Sequence, residues 1–188
     1  VLLLAVLVGL AALAEHSQTR HRAGPPATAN HPQASPLTPV QAERLGRRHV
    51  ACSRRIAQLS QAVAFPENVG QLPTALHDYL DASVTVPDLT SLGYTFDRAG
   101  PCHLAGPRSV HLIYRATDRS GREDALSLWI RPAEGATSLE PGRLYEGNDP
   151  TSAHPILIWR QGEAAYYLVG DNGAPLPAAA NLAMRSAA

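Results

Sequence analysis

Lysine is absent from this 188-residue chain, whose 16 basic residues are all arginine and meet 16 acidic ones, for a net charge of zero. We read the missing lysine as a trace of genome composition, not of function. The balanced charge removes the electrostatic signature of a nucleic-acid or anionic-membrane binder. Trp129, Trp159, Tyr166 and Tyr167 then read as sheet packing and not as a stacking platform for bases, so no nucleic-acid partner is expected. Cysteine is also scarce. Cys52 and Cys102 are too few for a disulfide-rich scaffold but enough for one bridge. The sequence has no G-x-S-x-G, no phosphate-binding loop, no G-x-G-x-x-G and no H-E-x-x-H, which removes the usual signatures of hydrolytic and nucleotide chemistry. The carboxylate pair Asp78 and Asp81 reads as solvated, not catalytic. No catalytic residue is assigned, and the chain is read as a non-enzyme.

What is present is organised around Pro39 to Val63. Thr38-Pro39-Val40-Gln41 is a helix start: a capping threonine, a proline preorganised for the first turn, and a glutamine placed to reach back to the cap. Leu45, His49, Cys52, Ile56, Leu59 and Val63 then recur at steps of four and three, the stripe of an amphipathic helix. Arg44, Arg47, Arg48, Arg54, Arg55 and Gln58 fall mostly elsewhere. Two stripe members can do chemistry, His49 and Cys52. One turn apart, they point into whatever the helix covers.

Before this helix, Val1 to Ala14 is uniformly apolar or glycine. Fourteen residues fall short of the roughly 20 that span a bilayer of about 30 Å, so the expectation is a partial transmembrane anchor continued upstream. The alternative is a signal segment with Ala12-Leu13-Ala14 as its cleavage site. Either reading places the remainder outside the cytoplasm, where thiols can oxidise. Residues 15–38, with Pro25-Pro26, Pro32 and Pro36, have the composition of a solvated tether. His16, His21 and His31 lie in it at irregular spacing.

After the long helix, Gln71 to Leu80 predicts a shorter one, with Leu72, Leu76, Tyr79 and Leu80 on one side and His77 as a structural or exposed residue. From Val84 onward the pattern is of strands and turns. Gly93 to Leu104 is extended. Ser109 to Thr117 alternates Val110, Leu112 and Tyr114 against His111, Ile113 and Arg115. Ala125 to Arg131 turns Leu126, Leu128 and Ile130 inward and Trp129 to the far side. Pro132 to Ala153 reads as a loop with a short strand near Leu144-Tyr145. Pro155 to Arg160 and Glu163 to Val169 form a terminal hairpin around Gln161-Gly162, and Pro177 to Ala187 a small helix. The expected fold class is α+β, with a long amphipathic helix and a short helix packed on a four- to five-stranded, mainly antiparallel sheet. The domain spans 39–174, followed by a short helical tail at 175–188.

Cys102 lies just before the strand that carries His111. If the helix stripe packs on that sheet, His49, Cys52, Cys102 and His111 meet, and three readings stay open. A Cys52–Cys102 disulfide would close a loop of about 50 residues and contribute roughly 4 kcal/mol. A Cys₂His₂ site would hold zinc, or a thiolate–imidazole site copper. The third reading is two buried thiols that do not meet.

Gly93-Tyr94-Thr95-Phe96, Gly100-Pro101-Cys102, Ser109 to Arg115, Ser127-Leu128-Trp129-Ile130, Ile158-Trp159-Arg160 and Tyr166 to Gly170 resemble the extracytoplasmic part of bacterial membrane-bound anti-sigma factors, over roughly residues 43–170. The resemblance implies a single-pass inner-membrane protein in the order anchor, tether, small α+β domain. In some such proteins a His-x-x-Cys before the sheet and a later Cys and His recur, here His49, Cys52, Cys102 and His111, which favours metal binding or redox sensing. The family's sigma-binding segment, often carrying His-x-x-x-Cys-x-x-Cys, would lie before Val1, so partnership with a sigma factor would run through that upstream segment. The expected function is a non-enzymatic extracytoplasmic sensing or regulatory domain. The alternatives are an exported zinc- or copper-binding protein and a thiol-dependent enzyme, the latter disfavoured by the lack of Cys-x-x-Cys.

Overall fold

The computed structural model describes residues 33–54, 63–117, 121–136 and 138–185. The expected anchor at Val1–Ala14 and the first part of the expected tether lie outside the described residues, as do Ile56 and Leu59 of the predicted stripe and Arg55 and Gln58 of the helix's other sides. No helix among the described residues is long and apolar enough to cross a membrane.

The fold is α+β. Its sheet has seven strands, not four or five: β1 (Gln33–Ala34), β2 (Thr95–Pro101), β3 (Val110–Thr117), β4 (Glu123–Pro132), β5 (Leu144–Asn148), β6 (Pro155–Gln161) and β7 (Ala164–Gly170), in the spatial order β1-β5-β6-β7-β4-β3-β2. Every pairing is antiparallel except β1 with β5, which makes the sheet mixed. β5 extends the short strand expected near Leu144-Tyr145 and pairs with β6 along its whole length. One strand escapes the sequence pattern. β1 is two exposed residues of the expected tether, held by the parallel ladder and by Ser35 N donating to Glu146 O at 2.8 Å. Two residues of the expected tether, Gln33 and Ala34, therefore belong to the sheet. The β6–β7 hairpin is terminal in sequence only: it lies mid-sheet, and all of β7 is buried.

The alternation along the strands resolves into two covered faces. Val110, Leu112, Tyr114, Leu126, Leu128, Ile130, Trp159, Tyr166 and Leu168 pack with α2 (Leu72–Leu80) and α3 (Leu176–Arg185). Trp129, Ile156, Ile158, Tyr167 and Val169 face the other way, beneath α1 (Pro39–Ser53) and its Ala42 and Leu45. His77 is exposed on α2.

α1 starts as its sequence requires. Thr38 Oγ1 accepts from Gln41 N at 3.3 Å, and Gln41 Oε1 accepts from Thr38 N at 2.9 Å, with Pro39 in the first turn. It ends at Ser53, with Arg54 as its cap. The reason is tertiary: Arg98 Nη2 donates to Cys52 O at 3.2 Å, and Arg115 Nη1 to Ser53 O at 2.7 Å. Two guanidiniums from the sheet thus satisfy carbonyls that a further helical turn would use, and place positive charge at the helix C-terminus.

Mid-helix, Gly46 lets α1 approach the β5–β6 loop. A Cβ there would lie 2.6 Å from Cγ of Asp149, and nearer still to its Oδ2. Gly46→Ala would add about 1 kcal/mol of helix propensity on an open surface. Here it is expected to destabilise by a net ~1–3 kcal/mol through overpacking against a buried carboxylate, read as a lower urea midpoint with an unchanged slope.

Candidate functional site

α1 offers the sheet a narrow apolar stripe, and most of its middle contact is polar. His49 is fully buried. Its Nδ1 lies 2.9 Å from Ser127 Oγ on β4, and its Nε2 lies 3.4 Å from Oδ1 of Asp171, the residue that follows β7. The His154 ring stands edge-on to His49, with centroids 5.1 Å apart. His49, His154 and Asp171 each offer one ligand atom, and the three atoms lie within 4.8 Å of one another.

Each ligand is delivered by a different element. His49 rides on α1. His154 closes the turn after β5, where Asp149 N donates to His154 O at 2.9 Å, Ala153 N donates to Asp149 O at 2.8 Å, and Asp149 Oδ1 accepts from Thr151 N at 2.9 Å. The Ser152 hydroxyl donates to the other oxygen of the same carboxylate. Asp171 is placed by the β6–β7 register. Ile156 pairs with Val169, so continuing the ladder by two residues on each strand sets His154 opposite Asp171, on the α1 side.

Their electrostatics favour ligation. A hydrogen bond from His49 is the largest influence holding the Asp171 carboxyl down at about 2, against its partial burial. Burial, then the charge of His49, lowers the His154 pKa, while Asp171 and Asp149 oppose the shift and Arg54 reinforces it. Carboxylate and neutral imidazole are the metal-binding forms. His154 Nδ1 is buried with no hydrogen-bond partner. Asp124, which lines the same cleft as Asp171, accepts from the Tyr94 hydroxyl. Asp171 borders a cleft of about 240 Å³ with Val50, Arg54, Arg122, Glu123 and Asp124.

Ser127, His49 and Asp171 form a Ser–His–Asp chain that is not a nucleophilic triad. Ser127 is fully buried in a central strand under α1, out of reach of any substrate.

The four residues singled out from sequence all lie buried in the layer between α1 and the sheet. Cys52 packs on Ile113. Cys102 joins the Trp129 cluster, its N donating to Ser109 O at 2.9 Å. His111 stacks on Trp129 with centroids 4.0 Å apart and neither ring nitrogen hydrogen-bonded. Both thiols are free, so the alternative Cys52–Cys102 bridge is not formed in this structure. The Cys52 pKa is nevertheless raised, first by burial and also by Cys102, against Arg48 and Arg98. Only His49 of the four belongs to the three-ligand group, which the sequence reading did not assemble. The missing signal was the hairpin register. Centring the turn on Gln161-Gly162 instead of the observed Gly162-Glu163 takes His154 off Asp171.

Comparison with family models, with curated proteins and with solved structures gives no match.

Proposed function

We propose that this chain is a non-enzymatic extracytoplasmic sensing or regulatory domain of a membrane-anchored, anti-sigma-factor-like protein. In this reading the packing of α1 on the sheet is the switch. The observation that carries it is the make-up of that contact: a buried histidine, a serine and a carboxylate-closed turn stand where a constitutive helix would place leucines. A polar seam is held by geometry and protonation, so a bound ion or a change in thiol state alters it more than it alters an apolar one. α1 is also the first helix after the tether, joined to it through β1, so any shift of α1 pulls on the segment that leads to the membrane. A sigma factor would be engaged by sequence upstream of Val1.

Hydrogen exchange on the full chain tests this. Chelator, added zinc or oxidant should change protection in α1 and β1 at least tenfold while β3, β4 and β7 stay unchanged. Equal protection of α1 and the sheet under every condition would leave a rigid scaffold and sink the reading.

A further inference from the structure

The geometry points to a divalent transition-metal site made by His49, His154 and Asp171, which shares only His49 with the Cys/His set suggested by the sequence. It deepens the sensing reading by naming the signal, and rests on that reading only for its consequence. Two imidazoles and one carboxylate from three separate elements are the donor set of an open zinc site, with a further position for water from the Asp171 cleft.

Three observations converge. The donor atoms lie within 4.8 Å of one another before any ion is added. His154 carries a buried ring nitrogen with no partner. Ser127 supplies the support that a metal-bound histidine needs. A hydroxyl can donate or accept. When Ser127 donates to Nδ1, His49 keeps its proton on Nε2 and donates it to Asp171. When Ser127 accepts from Nδ1–H, the Nε2 lone pair faces a carboxylate oxygen 3.4 Å away, an arrangement that calls for a cation between them. Metal entry therefore moves one proton across the ring, and the serine accommodates both states without moving. The same hydroxyl orients the ligand in the loaded form.

Because Asp171 and His154 are only partly buried, Asp171→Asn and His154→Ala are the variants to use, while His49→Ala risks the fold. The full chain in detergent, reduced throughout, is titrated with Zn²⁺ and with Co²⁺ as the visible probe. One equivalent should bind, with cobalt bands of an N/O site and no thiolate charge-transfer band. Loss of a supporting partner weakens metal sites by roughly 10–100-fold, which is the expected effect of Ser127→Ala; each ligand variant should cost on the order of 100-fold or more. Cys52→Ser and Cys102→Ser should leave affinity within about twofold. No binding by the parent chain overturns the site. So does binding that survives both ligand variants but is lost in the cysteine variants. Hydrogen exchange on the same samples separates the two ideas. Metal binding without altered α1 protection keeps the site and rejects the switch. Altered α1 protection on oxidation, without metal binding, does the reverse.

Discussion

Trp129→Ala is expected to lower folding stability by about 3–5 kcal/mol, the cost of truncating a large aromatic in a closed core. Trp129 is fully buried on β4, beneath α1, with His111 stacked on its face at 15°. The deletion removes the ring and leaves a cavity bordered by an imidazole that has no hydrogen-bond partner of its own. For a chain of this size the loss corresponds to a melting-temperature drop on the order of 10 °C. Trp129→Phe keeps a ring for the stack and also removes an indole N–H that has no partner, so its cost should be well under half as large. Thermal or urea unfolding of the two variants side by side checks this. Equal losses would show that the stack and the indole face contribute little.

Lowering the pH should destabilise the protein in two windows. His111 is held well below its ordinary 6.5, first by burial and then by repulsion between its charged form and His49, Arg48 and Arg98. The folded state therefore refuses a proton that the unfolded chain accepts. Above pH about 6.5 neither state binds it and stability is unaffected. As the pH falls below that value, stability drops, by at most about 1.4 kcal/mol per unit. His154, also lowered, steepens the same window. The second window belongs to Asp171, depressed to about 2. Its stabilising effect is complete above the usual carboxylate range, near pH 4, and is lost as the pH falls toward 2. His111→Leu should flatten the upper window and leave the lower one. An upper slope unchanged in that variant would mean that His111 carries none of it.

Much of the local structure was legible in the sequence. Thr38-Pro39-Val40-Gln41 wrote the start of α1 in capping chemistry. The alternation through β3 and β4 correctly separated His111 and Ile113 from Leu112 and Tyr114, and Trp129 from Leu128 and Ile130. Leu72, Leu76 and Leu80 marked the buried side of α2. Such features repeat along the chain at helix or strand spacing, so a window of a few residues contains them.

What the windows could not contain, the tertiary structure decided. α1 stops at Ser53 because Arg98 and Arg115, far along the chain, take its last carbonyls. Gln33–Ala34 is a strand because β5 presents it an edge, not because two polar residues prefer one. His154 meets Asp171 through a pairing register, and a turn misplaced by one residue changes every partner on the ladder. Side-chain periodicity records which face a residue shares. Distances of a few ångströms between ligand atoms depend on how separate elements stack, and that is settled only when the whole chain closes its core.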